Sequence, residues 1–194
     1  MLVTMGNIQQ GTTVLIHSAA GGVGSAAVQL AKAYGATVIA TVGHDDKKHL
    51  AKWAGADHVI NYNATNFEDE VDKVTHYRGI DIALECRGGD IFTRTFDSLA
   101  AFGKMIVYGL SSGIQGTVST TDLIFRSRTV MGFHLMSILM NDNLVEKGLN
   151  AINTLLCEDK IHPIVGQAFA LKDAFLAHKA MESHRTLGKV ILKP

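Results

Sequence analysis

At 194 residues with 47% hydrophobic side chains, the chain is long enough to bury one full core. Its formal net charge of zero, with no basic block and no aromatic–basic interleaving, makes nucleic acid a poor partner, and no apolar run reaches the ~18 residues of a membrane span. Met1–Met5 lacks the basic stretch and long apolar core of a signal peptide, and the two distant cysteines, Cys86 and Cys157, suit neither a disulfide framework nor a zinc knuckle; both features imply a reducing, cytoplasmic setting.

Strands and helices alternate along the chain. Thr12–Ser18 reads as a first strand, followed by a helix to about Gly35; Ala36–Val42 is a second strand. A helix over residues 45–54 stops at Gly55, and Asp57–Asn61 is a short third strand. Asn66 is placed to cap a helix through Tyr77, with Glu68, Asp69 and Glu70 in its first turns. Ile80–Cys86 is a fourth strand, Asp90–Ala101 a helix and Lys104–Tyr108 a fifth strand. Leu110–Thr121 is a polar loop, Thr129–Leu135 a sixth strand and residues 142–158 a long helix. The tail, Gln167–Pro194, holds a strand, a helix near Lys172–Ser183 and a last strand Lys189–Leu192. Continuous apolar strands alternating with helices predict an α/β fold: a doubly wound parallel sheet with a six-stranded core and a strand–helix–strand tail.

One junction carries chemistry. The apolar run Val14-Leu15-Ile16 passes through His17-Ser18-Ala19 into Ala20-Gly21-Gly22-Val23-Gly24 and then into the helix-forming Ser25–Tyr34. A strand, a turn without bulky side chains and a helix N-terminus make a pyrophosphate cradle, because the backbone can approach a phosphate and free N–H groups point at it. Read as A-x-G-x-x-G, the fingerprint falls on Ala19, Gly21 and Gly24; its position between strand and helix gives it weight.

These residues resemble the zinc-independent medium-chain dehydrogenases/reductases, specifically the quinone oxidoreductases and zeta-crystallin-like proteins. The resemblance starts at Gly11–Gly24 and continues through Gly55–Tyr62, Gly79-Ile80-Asp81, Phe102–Gly109 and Thr186–Leu192. Gly6–Gly11 and Gly132–Leu135 lean towards the branch of VAT-1 homologues. The resemblance implies a Rossmann domain over residues 1–166 and a tail, 167–194, that packs on a GroES-like catalytic domain, which is absent here. It further implies an NADPH-dependent oxidoreductase acting on a quinone or an activated C=C bond, with this chain alone inactive.

The acid that usually receives the ribose 2′-OH of NAD is missing from the end of the second strand, Thr41-Val42-Gly43. Lys47 can meet a 2′-phosphate, although Asp45 and Asp46 would repel one; NADPH is expected over NADH. The resemblance makes residues 43–47, including Gly43, His44 and Lys47, an adenosine-phosphate loop and sets Tyr62 beside the adenine ribose. It puts Ser111 and Ser112 near the cofactor and Phe133 and His134 near the nicotinamide; Arg87, ending the fourth strand, and Gly109, ending the fifth, stand where such sheets bind ligands. Unbound alternatives are a solvated Lys47, a surface Arg87 and a core His134. No residue presents itself as a general acid, and no metal-ligand spacing is present.

Gly109-Leu110-Ser111-Ser112-Gly113 also reads as G-x-S-x-G, with Asp173 and His178 later, but Ile114–Thr117 is a poor helix start for a hydrolase elbow. No tyrosine has the lysine four residues on that short-chain dehydrogenases need. A polyketide synthase enoyl reductase would carry Asn-Ser-Leu where this chain has Glu85-Cys86-Arg87, and Ser-Arg-Thr-x-Asp-Phe where it has Asn63–Phe67. A cofactor-binding module without turnover is a third reading. Phe169, Leu171, Ala174, Phe175, Ala177 and Met181 give the tail an apolar face that, with the strand near Thr129–Leu135, predicts a homo-oligomer.

Overall fold

A computed structural model describes residues 1–194. Six strands form one parallel sheet: β1 (Thr13–Ile16), β2 (Thr37–Val42), β3 (His58–Asn61), β4 (Ile80–Glu85), β5 (Leu99–Val107) and β6 (Thr129–Gly132). Their spatial order is β3-β2-β1-β4-β5-β6, so the winding reverses between β1 and β4. That reversal opens a crevice at the carboxyl ends of these two strands, where such sheets bind ligands.

Alternation along each strand splits the core into two layers. Val14 and Ile16, Val38 and Ala40, and Ile82 and Leu84 face one layer; Leu15, Ile39 and Ala83 face the other. The first layer is closed by α1 (Gly22–Ala33), whose Ala27, Val28 and Ala31 are buried. The second is filled by Phe67 and Val71 of α3 (Phe67–Thr75) and Phe92 and Phe96 of α4 (Gly89–Asp97). The short α2 (Lys48–Trp53) follows β2 after a tight turn over Asp45–Lys47.

Several expected boundaries shift. The helix expected over 90–101 ends at Asp97, because Leu99 already pairs with Ile80. The register then jumps, with Lys104 opposite Ile82, and the extra residues bulge through Phe102 at φ 62. The expected helix over 45–54 begins as a tighter turn, and Asn66 stands at the N-cap of α3 without a side-chain hydrogen bond. The loop expected to Thr121 ends earlier, at α5 (Thr120–Ile124), where Ser119 and Asp122 form a reciprocal capping box. The strand expected to reach Leu135 stops at Gly132, and α6 (Leu135–Leu139) follows before α7 (Asp142–Cys157).

The tail forms its own two-stranded parallel sheet, β7 (Val165–Ala170) with β8 (Lys189–Lys193), joined by α8 (Ala174–Glu182). The division expected after residue 166 therefore falls inside β7. Ala177 is buried, while Leu171, Phe175 and Met181 remain exposed, so the apolar face is only partly covered. No helix is long and apolar enough to cross a membrane.

Candidate functional site: a cleft at the winding reversal

The glycine turn leaves β1 through Ser18, whose φ of 53 is unusual for a residue with a side chain. Its carbonyl accepts from Gly21 N at 2.9 Å, closing the turn. Gly24 lies in the first turn of α1, where an added Cβ would sit 2.2 Å from Ser18 O and 2.7 Å from Ala19 Cα. The close approach of helix to strand thus needs glycine. No side chain caps α1, which leaves its first N–H groups to the turn's surroundings.

Four further segments, those after β2, β3 and β4 and one from the tail, meet this turn around a cleft of about 280 Å³. After β2 the chain bends at Gly43, where an added Cβ would stand 2.9 Å from the Tyr62 hydroxyl; Asn63 Nδ2 donates to the Gly43 carbonyl at 2.8 Å. After β4, Glu85 turns the chain by accepting from Arg87 N at 2.5 Å and Gly88 N at 2.8 Å through Oε1. Burial pushes its carboxyl above the usual range, and Oε2 has no partner. The Arg87 guanidinium stacks 5.4 Å from the Tyr62 ring centre and donates to Ser111 Oγ at 3.3 Å; its buried Nε is unpartnered.

The last segment comes from the tail. Gly188 N donates to Ala20 O at 2.8 Å, pairing Gly188 with Gly21 in a strand-like bridge. Lys47 Nζ donates to His184 O at 2.5 Å and Thr186 O at 3.2 Å. Partial burial holds its ammonium below the usual lysine range. Asp45, one of the two expected obstacles to a phosphate, is drawn into a 2.7 Å ion pair with Lys48, while Asp46 acts on Lys47 through its charge.

Of the residues expected at a cofactor site, Ala20, Gly21, Gly43, His44, Lys47, Tyr62 and Arg87 line this cleft together. Gly22 and Val23 face a second, apolar groove of about 540 Å³ across α1, and a Cβ on Gly22 would meet the Lys189 side chain at 3.2 Å. Gly109, Ser111 and Ser112 stand behind the cleft. Ser111 N and Ser112 N donate to Cys86 O and Arg87 O, so this loop supports the arginine. Phe133 is half-buried against the core, its N bonded to Val107 O. His134 corrects two expectations: it lies outside β6 and outside the core, exposed at the start of α6. No helix follows Ser111 until Thr120, which removes the nucleophile elbow. Sequence reasoning missed Met181, His184 and Thr186, which line the cleft from the tail. No three His, Cys, Asp or Glu side chains come together in a way that could hold a metal ion.

Residues 22–152 match the zinc-binding dehydrogenase family. The chain belongs to that family. Within it, the 2-haloacrylate reductase of a Burkholderia species is 31% identical over 193 residues, covering 96% of this chain and 57% of the reductase. The human synaptic vesicle membrane protein VAT-1 homolog is 29% identical over 210 residues, all of this chain and 53% of that protein. A highly-reducing polyketide synthase of Aureobasidium melanogenum is 31% identical over 198 residues, but these make up only 9% of its length. Among solved structures, the Escherichia coli quinone oxidoreductase complexed with NADPH superposes with a TM-score of 0.92 at 33% identity, covering all of this chain and 60% of that one. A mycobacterial protein complexed with NADPH matches equally well, at 29% identity over 60% of its chain. The family resemblance read from the glycine turn and its companion motifs therefore holds along the whole chain. The chain spans about three-fifths or less of the length of these family relatives.

Proposed function

We propose that the cleft binds NADPH and that the chain is the nucleotide-binding part of an oxidoreductase delivering hydride to a quinone or an activated C=C bond. The observation that carries this reading is the convergence of the glycine turn, Gly43, Lys47, Tyr62 and Arg87 on one cleft at the winding reversal. The donor chemistry fits an anionic dinucleotide: uncapped helix N–H groups, one ammonium, and a guanidinium whose buried Nε lacks a partner. The nicotinamide would supply the hydride chemistry, and this chain would bind and orient it. Gly21 and Ala20 would lie along the pyrophosphate, Lys47 beside the ribose 2′-phosphate, and Tyr62 and Arg87 against the adenosine. Gly109, Ser111 and Ser112 would act by holding the Arg87 loop. Phe133 and His134 are kept as candidates for the nicotinamide side.

Gly21→Asp tests this reading, since it adds a carboxylate to the cleft wall where little but Ser18 O, at 3.3 Å, opposes a Cβ. Calorimetry should register at least a roughly tenfold loss of NADPH affinity, the scale of one charge-assisted hydrogen bond. An unchanged affinity would remove the pyrophosphate assignment.

Hydride transfer is assigned to the chain together with a catalytic domain of the kind that makes up the rest of its relatives, with residues 165–194 packing against it. NADPH oxidation should be undetectable with this chain alone and appear when the preceding portion of a full-length relative is joined to it; turnover by the chain alone would overturn this. The polyketide synthase relative favours a second reading, an enoyl reductase domain. A thioester-bound enoyl substrate, tested beside a quinone in the joined protein, separates the two. Two free cysteines support a cytoplasmic setting. Exposed Leu135, Met136, Leu139 and Phe175 support self-association. Sedimentation at micromolar concentration should find more than one chain per particle.

A further inference from the structure

The tail's contact with Lys47 has an unusual chemical form. Two of the three N–H donors of the ammonium are fixed by backbone carbonyls, those of His184 and Thr186. Carboxylate partners would fix a lysine equally well but cancel its charge. Neutral carbonyls fix it and leave the charge whole, with one donor to spare. Asp45 is paired with Lys48, and Asp46 acts on Lys47 only through its charge, without forming an ion pair with it.

The turn that offers these carbonyls is itself held at both ends. On one side Ser183 N donates to Lys179 O and His184 N to Met181 O, which tie it to the end of α8. On the other side Gly188 N donates to Ala20 O of the glycine turn. Between them His184 sits at φ 54, a conformation that aims its carbonyl and that few side-chain-bearing residues adopt. The arrangement resembles a bracket more than a chance contact of an exposed lysine.

We propose that the turn at residues 183–186 is a positioning element for cofactor selection, its His184 and Thr186 carbonyls aiming Lys47 at a ribose 2′-phosphate. This rests on reading the cleft as the dinucleotide site. The turn acts through Lys47 and needs no contact of its own with the reacting atoms. A free lysine would reach the same phosphate only after its flexible stem had been ordered, so the bracket turns a loosely held charge into a selective one.

Calorimetry of the full chain with NADPH and NADH, on the parent and four variants, tests this. Lys47→Ala should lose roughly tenfold or more in the preference for NADPH, with NADH affinity kept. His184→Pro, which forbids a positive φ, should lose a comparable share of that preference, again with NADH affinity kept as proof that the cleft is folded. His184→Val is the milder form of the same change, and its loss of preference carries the test should the proline variant not fold. His184→Asn, which tolerates the left-handed conformation, should retain the preference. Retained preference in the proline or valine variant beside its loss in Lys47→Ala would overturn the proposal and leave the dinucleotide reading standing. So would an equal loss for both cofactors, or a loss in the asparagine variant, which would implicate the imidazole. A parent that binds neither cofactor would overturn the cleft reading and this proposal together.

Discussion

Gly24→Ala should destabilise the chain by about 3 kcal/mol, at the upper end of what overpacking costs. The new methyl would meet Ser18 O at 2.2 Å and Ala19 Cα at 2.7 Å. Both are backbone atoms of a closed turn, so relief requires α1 to move away from β1. That movement would loosen Ala27, Val28 and Ala31 from the core and drag the helix N-terminus away from the cleft. Dinucleotide affinity should therefore fall along with stability. Gly132→Ala is the natural control, because nothing lies within 4 Å of its added Cβ. Urea unfolding at neutral pH should separate the two variants clearly. A Gly24→Ala protein as stable as its parent would mean that the turn can back away from the helix freely.

Acid should weaken the fold earlier than its carboxylates alone predict, through His17. This side chain is fully buried at the end of β1, with Nδ1 2.8 Å from Thr41 Oγ1 and Nε2 2.7 Å from Thr95 Oγ1. Burial, reinforced by Arg87 and Arg94, pushes its pKa down to about 3. The unfolded chain takes up the proton near pH 6.5, whereas the folded chain refuses it until about pH 3. The unfolded state therefore binds more protons throughout that window, and stability falls as pH falls through it. Between pH 7 and pH 5 the loss from this one group is about 2 kcal/mol. The raised carboxyl of Glu85 works in the opposite direction, because the folded state holds its proton more tightly. His17→Leu should cost stability at pH 7, since it strands the buried Thr41 hydroxyl and leaves Thr95 with only the Ile91 carbonyl, yet flatten the slope between pH 7 and pH 5. An unchanged slope in that variant would assign the acid sensitivity to other groups.

The main sheet is legible because β1, β2 and β4 are buried on both faces and read as largely apolar runs, interrupted in β4 by Asp81. The β5 boundary is not. Leu99-Ala100-Ala101-Phe102 continues the helical pattern before it, and only the pairing of Leu99 with Ile80, far away in sequence, makes it strand. The cleft is half legible for a similar reason. Arg87 follows a strand's carboxyl end and can be assigned from strand order, whereas the places of Gly43 and Tyr62 rest on the family resemblance. The direction of a glycine's missing side chain cannot be assigned from strand order, which is why Gly22 falls on the apolar groove and Gly21 on the cleft. His184 carries no motif and Thr186 only opens the closing stretch Thr186–Leu192; both act through main-chain oxygens, which every residue possesses.

The bridge between Gly21 and Gly188 gives the cleft a birth order. In chain order, residues 183–188 come after every strand of the main sheet. A ribosome can thus release a wound sheet with its glycine turn already closed while one wall of the cleft is still unmade. A nascent chain at that stage could touch a dinucleotide only from the sheet side. Full grip, and any choice between two cofactors that depends on Lys47, would begin when the tail arrives.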